Sequence, residues 1–346
     1  MKIRVGILTA PKIEFEQREK TFVLKNVRIG IGFHWDRFED QEFAGKLTIR
    51  NNPDSTQTAI NTIDLEDYIC SVISSEMNAN SPMELLKAHA VISRSWALRA
   101  MQHPNHEGFH VCADDHCQRY EGLRRMNQRA VEAVRATAGQ VLMYGDEICD
   151  CRYHNCCGGR TEIWRTCWED KDVPYIQSVE CDYCDPKRSS IVNRLIVNSL
   201  NDYDQETKDF HDWTVQYKDE ELDAIIAEKS GIDFGHITAL VPLRRGASGR
   251  IDRLKIVGTK RTEEIGKELK IRLWLSKSCL YSSWFEVSHT PSPVTGEPSW
   301  TLIGHGWGHG AGLCQIGAAV MASEGHTYKQ ILAHYYVGSR LSVATL

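Results

Sequence analysis

Residues 72–99, VISSEMNANSPMELLKAHAVISRSWALR, join two helical patterns through a short polar break, and the rest of the chain reads as arranged around them. Upstream, Asp64 is placed to cap a helix whose Leu65, Ile69 and Val72 fall at i, i+4 and i+7 on one apolar face. Glu76 continues that face at the helix C-terminus. A carboxylate in such a place is pushed toward its neutral form by desolvation and by the negative end of the helix dipole, which is how a general acid is made.

The second helix is expected to start at Ser81-Pro82-Met83-Glu84, an N-cap serine, a proline at the first helical position and a capping-box glutamate. Leu85, His89, Ile92 and Trp96 form one stripe and Leu86, Ala90, Ser93 and Ala97 another, so most of its circumference is buried. Lys87 and Arg94 lie nearly on one line. Two cations on a buried helix require an anion, which is Glu76, another acidic side chain or an acidic substrate; the plain alternative is a buried ion-pair network.

The chain has 346 residues, 42% hydrophobic and 25% charged, ordinary for a globular protein with one large or two smaller cores. Membrane spans are absent from the sequence pattern. A net charge of -5 argues against binding nucleic acid through a general basic surface. Twelve cysteines are many, but a chain with a normal core does not need staples, so metal binding or reduced thiols fit better. MKIRVGILTA begins as a strand and lacks the pattern of a signal peptide, so the chain is expected to be cytosolic, or to have had an export signal removed.

The organisation expected is α+β, with mixed helices and antiparallel strands. Residues 1–60 read as a β-rich region with strands at 22–24, 27–33 and 45–49, and residues 61–180 as the core with the two helices. Residues 181–232 read as a connector or insert, although 213–217 is strand-like and 220–230 helix-like. In residues 233–346, strands 237–243 and 251–257 form a hairpin around RRGASGR, residues 288–299 read as a loop, and two helices close the chain, the last behind a Thr327/Gln330 capping box. Between these halves, a helix over 127–138 stops at Gly139, and a hairpin turning at Gly145-Asp146 joins 140–144 with 147–154.

HEGFHVCADDHCQRYEG has the density of a metal site. Cys112, His116 and Cys117 supply three ligands, and His106 or His110 a fourth. Two thiolates and two imidazoles suit tetrahedral zinc; with all four positions filled the ion is structural, whereas an open position would make it catalytic. Cys149, Cys151, Cys156, Cys157, Cys181 and Cys184 match no standard zinc spacing, and buried inert thiols are the preferred account over a second metal or redox site. In IGHGWGHGAGLCQIGA, glycines alternate with His305, Trp307 and His309. The preferred reading is a backbone that approaches a ligand, an indole beside hydrogen-bonding groups suiting a sugar, over glycines that merely let strands pack.

Four of these segments together resemble the SpoIID/LytB family. SSEMNANSPMELLKAHAVISRSWAL is similar to its GEM-x(5)-P-x-E-A-L-K-A-Q-A-V-x-A-R-T signature, and CADDHCQRYEG to its Cys/His loop with the following Gln and Tyr. YHNCCGGRTE resembles H-S-x-S-G-G-x-T-E, and GHGWGHGAGLCQIGA with HYYVG resembles the C-terminal G-H-G-x-G-H-G-x-G-x-S-Q-x-G-A and H-Y-Y-x-G motifs. The order is the family's, from about residue 63 to 341.

The resemblance implies a SpoIID-like core with a substrate groove and a lytic transglycosylase that cuts peptidoglycan glycan strands, preferably those without stem peptides. Glu76 matches the catalytic acid, His106, Cys112, His116 and Cys117 match structural zinc ligands, and Gln118, Tyr120, His154, His305, Trp307, His309 and Gln315 match motif positions expected at the substrate. Some members are described as enhancers of cell-wall amidases, which adds an amidase as a candidate partner, and a cell-envelope or periplasmic location is implied. Departures are Cys156-Cys157 for small hydroxyl residues, His89 for a glutamine and Cys314 for a serine. The chemistry is consistent with one carboxylate: hydrolytic glycosidases use two, whereas a transglycosylase lets the sugar's own C6 hydroxyl attack. Lys87 and Arg94, if they face the groove, would hold a lactyl carboxylate. The zinc-deaminase pattern is missing, which weakens hydrolysis at an open zinc site.

Overall fold

The computed structural model describes residues 1–31, 36–78, 80–114, 116–187, 211–291, 296 and 298–344. Six strands precede the first helix: β1 (Lys2–Ala10), β2 (Phe15–Gln17), β3 (Thr21–Ile29), β4 (Arg37–Ala44), β5 (Lys46–Asn51) and β6 (Gln57–Asp64). β2-β3-β4 form one antiparallel sheet, and β5-β6-β1 begin another, to which β7 (Val111–Cys112) adds in parallel along β1. The strand readings at 22–24 and 27–33 are one strand, β3, whose register shifts between Leu24 and Val27 around Asn26 at φ 53°. Residues 32–35 lie outside the described residues.

α1 (Leu65–Glu76) starts where expected, the Asp64 carboxylate accepting from the Glu66 amide. α2 (Met83–Gln102) does not. Its N-cap is Pro82, without a side-chain cap. Ser81 instead closes a turn, its amide donating to the Asn78 carbonyl, and Glu84 is drawn away to Lys87 and to the Tyr328 amide. Tertiary partners have taken the groups that a capping box would use. α3 (Gln128–Ala136) is capped by Asn127, and β8 (Gln140–Tyr144) turns into β9 (Glu147–Ile148) as the hairpin pattern requires. The hairpin stops short, however: Tyr153–His154 is a separate strand, β10, and α4 (Trp164–Cys167) follows.

Two main cores result. In the larger, Ile3, Val5 and Phe43 of the strands pack with Tyr68, Ile69 and Val72 of α1 and with Leu85, Ile92 and Trp96 of α2. The strand region is therefore one face of the helix pair's own core. Fully burying side chains of this size contributes about 1.5–3 kcal/mol each.

A second core gathers Trp213, Ile226, Ile256, Ile271 and Leu302. It is built from β11 (Asp212–Lys218), α5 (Asp219–Ser230), β12 (Ile237–Arg245), β13 (Ile251–Gly258), β14 (Thr262–Ile265), α6 (Glu268–Trp274), β15 (Phe285–Pro291) and β16 (Pro298–His305). The β12–β13 hairpin and the Gly231 end of α5 match the sequence pattern. Residues 212–230 belong to this core rather than to a connector, because Trp213, Leu222 and Ile226 are buried in it; residues 188–210 of the expected connector lie outside the described ones. Six residues of the expected loop at 288–299 are paired instead, since β15 runs to Pro291 and lies antiparallel to β16, which starts at Pro298; residues 292–295 and 297 lie outside the described ones.

The chain then returns to the first core with β17 (Leu313–Cys314), α7 (Gln315–Ser323), α8 (Tyr328–Tyr335) and β18 (Arg340–Val343). The capping box at Thr327 and Gln330 is formed. β17 pairs in parallel with β10, Tyr153 opposite Leu313 and His154 opposite Cys314. No helix among the described residues is long and apolar enough to cross a membrane.

Candidate functional site

Glu76 is the last residue of α1 and is half-buried. Its Oε1 accepts from the Arg119 amide at 3.0 Å and from the Tyr153 hydroxyl at 2.7 Å. Both donors are held by structure built elsewhere. Arg119 follows the Cys/His loop by two residues, and Tyr153 is on β10. Hydrogen bonds to a charged acceptor are the strong ones, so these two fix the carboxylate in orientation.

The Cys/His loop is anchored on β1 by β7 and by Ala113, whose amide donates to the Gly6 carbonyl. It brings together His106, Cys112, His116 and Cys117, with their ligand atoms all within 4.8 Å of one another. His106 Nε2 is 3.2 Å from Cys117 Sγ, and His116 Nδ1 lies 3.8 Å from Cys112 Sγ and 3.5 Å from Cys117 Sγ. The competing His110 accepts from the Arg4 amide, and the nearby His103 caps the end of α2, so the geometry selects His106. The Cys112 thiol is drawn down to about 4, chiefly by its hydrogen bond with Cys117, which is pushed up in turn. Two sulfurs and two ring nitrogens converging in this way fit tetrahedral zinc with all four positions filled by protein. That leaves no open position for zinc-activated water.

Behind Tyr153 stands His89, its ring centroid 4.4 Å away edge-on. His89 is fully buried between the Ser93 hydroxyl at 3.2 Å and the Gln315 amide at 3.1 Å, and burial pushes its pKa down to about 3. Gln315 is therefore brought near the site, but as a buried partner of His89. Gln118 and Tyr120 are also buried: Gln118 accepts from the Tyr68 hydroxyl, and Tyr120 donates to Asn61. They pack beneath the site and offer no surface to a substrate.

Neither expected cation faces a groove. Arg94 is 0% exposed, both Glu66 carboxylate oxygens taking its guanidinium at 2.7 Å, with the Gln140 carbonyl at 3.0 Å. Lys87 pairs with Glu84 at 2.6 Å. The buried ion-pair alternative holds for Arg94, since a guanidinium in this core needs a bidentate anion, whereas Lys87 makes a partly exposed pair one turn away on its own helix.

The glycine-rich segment also packs differently from the preferred reading. Gly306, Gly308, Gly310 and Gly312 all have φ between 73° and 94°, and a Cβ at Gly312 would lie 2.0 Å from the Arg152 carbonyl. A Cβ at Gly306 would crowd the Cys156 carbonyl at 2.8 Å, so these glycines let the segment lie against residues 152–157. His305 turns outward to Asp212 at 2.6 Å, Trp307 is buried against Tyr281, and His309 lies 5.7 Å from His154, ring to ring. His154 is buried, with Nδ1 on the Ala311 carbonyl and an Nε2 that has no partner among the described residues. Burial lowers the pKa of His309 well below the ordinary value.

Sequence reasoning missed Tyr153, Arg152, Glu162 and Arg250. Arg152 lies over the rings of Trp96, Trp164 and Trp168, at 5.2, 5.4 and 5.0 Å. Glu162, fully buried, accepts from the Ala247 and Ser248 amides, and Arg250 donates to the Gly308 and Cys157 carbonyls, so the two lock the glycine-rich segment to the second core. The available signal was YHNCCGGRTE itself, whose Tyr and Glu are Tyr153 and Glu162.

Residues 53–144 match the family model described as Stage II sporulation protein, and residues 162–312 match a domain of unknown function. A Stage II sporulation protein domain thus lies within the chain, and most of its length is similar to proteins named for the two branches of the SpoIID/LytB family. It is 28% identical over 284 residues to an uncharacterised protein of Brachyspira hyodysenteriae, covering 82% of this chain and 68% of that one. To Stage II sporulation protein D of Bacillus subtilis it is 27% identical over 305 residues, 83% of this chain and 76% of that one. The Amidase enhancer of Bacillus subtilis is 25% identical over 306 residues, 78% of this chain and 40% of that longer protein.

Proposed function

We propose that this protein is a lytic transglycosylase of peptidoglycan glycan strands, preferably strands freed of stem peptides, with Glu76 as both acid and base. The observation that carries the reading is the double hold on Glu76 Oε1 by the Arg119 amide and the Tyr153 hydroxyl. Glu76 gives its proton to the glycosidic oxygen as the bond to the muramic anomeric carbon breaks. The C6 hydroxyl of the same sugar then attacks that carbon and returns its proton to Glu76, leaving a 1,6-anhydro end and a carboxyl group ready for another cycle. No water is consumed and no second carboxylate is needed.

Lys87, Arg94 and Arg152 are all committed to ion pairs, Arg152 with Asp150 at 2.7 Å, so the lactyl group is left to hydrogen-bonding groups, and Trp168 with His309 beside it, 4.8 Å apart, is assigned as the apolar wall for the ring. Zinc on His106, Cys112, His116 and Cys117 would contribute to folding and hold the Arg119 amide on Glu76; the chemistry is left to the carboxylate. Digestion of amidase-treated peptidoglycan, with anhydro-muramoyl products read by mass spectrometry, tests this. A second reading rests on the similarity to the Amidase enhancer: a glycan-binding helper would give no anhydro ends alone but would raise peptide release by an added amidase.

A further inference from the structure

We propose that Cys157, Cys181, Cys184 and Cys314 form a second metal site, an all-thiolate tetrahedron for one zinc ion, which clamps the strand pair carrying Tyr153. The four sulfurs lie within 4.8 Å of one another, every one of these residues is buried, and all four are free thiols. Cys157 Sγ and Cys184 Sγ are 3.3 Å apart. Zinc–sulfur bonds of about 2.3 Å put the sulfurs of a tetrahedral site roughly 3.8 Å apart, within the spread found here. A four-iron cluster binds each thiolate on a different iron and needs them further apart, so the set is sized for a single ion.

The surroundings are those of sulfur ligands. Cys314 caps α7, and its Sγ accepts from the Gly317 and Cys157 amides, both at 3.3 Å. Amide donors and a helix N-terminus favour a charged sulfur. The Tyr335 hydroxyl lies 3.1 Å from Cys181 Sγ. A Cβ at Gly317 would come within 2.6 Å of Cys181 Sγ, so glycine is needed where the helix meets the cluster. Four thiolates outweigh one divalent ion, and one cation stands close: Arg250, fully buried, donates to the Cys157 carbonyl.

Cys181 precedes and Cys184 ends a single 3-10 turn, Asp182–Cys184, Cys157 follows β10 and Cys314 ends β17. One ion would therefore tie three segments distant in sequence and hold the β10–β17 pair from which Tyr153 reaches Glu76. The Cys/His loop does the same for the other donor, Arg119.

Elemental analysis of the full chain, purified without oxygen and with zinc supplied, is expected to give two zinc ions per chain. Cys181→Ser/Cys184→Ser should lose one and Cys112→Ser/Cys117→Ser the other, while Cys156→Ser keeps both. Should the thiolate variant fail to fold, zinc-edge X-ray absorption of the wild type decides: the two sites together average about three sulfurs per zinc, the Cys/His site alone about two. One zinc per wild-type chain with two sulfurs, stoichiometric iron, loss of zinc from Cys156→Ser, or a disulfide mapped among the four cysteines would overturn the proposal.

Discussion

His89 should make the fold sensitive to acid in a way that can be assigned to one ring. It is fully buried, and burial lowers its pKa from 6.5 to about 3. Between those values the unfolded chain binds a proton that the folded chain refuses, so stability is lost as pH falls from 6.5 toward 3 and is unaffected above that window. The slope approaches about 1.4 kcal/mol per pH unit, so at about pH 4.5 the loss from this ring is on the order of 2–3 kcal/mol. The geometry explains why protonation is resisted: Nδ1 faces the Ser93 hydroxyl and Nε2 the Gln315 amide, both neutral groups. Urea unfolding at pH 7.5 and at pH 4.5, for wild type and His89→Gln, isolates the effect, because all other titrating groups are common to both. The wild type should lose about 2–3 kcal/mol more than the variant on acidification. Equal losses would show that His89 is protonated in the folded protein and that its buried placement is wrong.

Other outcomes are open to measurement. Tyr153→Phe removes a hydrogen bond to a carboxylate, worth about 1.5–3 kcal/mol, and should lower the melting temperature by several degrees and cut kcat by roughly 10- to 100-fold with the glycan affinity little changed. Cys117→Ser should remove one zinc ion and lower the melting temperature, and the accompanying loss of rate should be restored in part by conditions that stabilise the fold. Arg94→Met leaves Glu66 without its partner and should cost about 3 kcal/mol in urea unfolding, the lower end for a broken buried pair because Glu66 is 28% exposed, with no selective effect on affinity for peptide-free glycan.

Where local signals acted alone, the sequence was legible. Asp64, Asn127 and the Thr327/Gln330 pair cap the helices they precede, and the turn residues between β12 and β13 make that hairpin. Legibility failed where distant partners compete for the same groups. Glu84 leaves its capping box because the Tyr328 amide, far along the chain, takes its carboxylate. Arg94 carries the charge of a substrate-binding residue, but a glutamate one helix earlier neutralises it. The glycine-rich run was read toward a ligand, although its positive φ angles serve close contact with residues 152–157. Periodicity also cannot show that Cys157, Cys181, Cys184 and Cys314 meet, because no standard ligand spacing survives when three segments contribute to one point. The Cys/His loop was readable because its ligands lie close in sequence, yet only the structure separates His106 from His110.

The central claim is that Glu76 performs the proton transfers, and Glu76→Gln compared with wild type on peptide-free glycan strands tests it most directly. Glutamine keeps the oxygen that accepts from Arg119 and Tyr153 but cannot exchange a proton. With zinc content, melting temperature and glycan binding unchanged, the release of 1,6-anhydro ends should fall toward the upper end of the roughly 10²- to 10⁴-fold range for general acid–base catalysis, because no second carboxylate shares the task. Anhydro ends appearing at near wild-type rate from the variant would contradict the account.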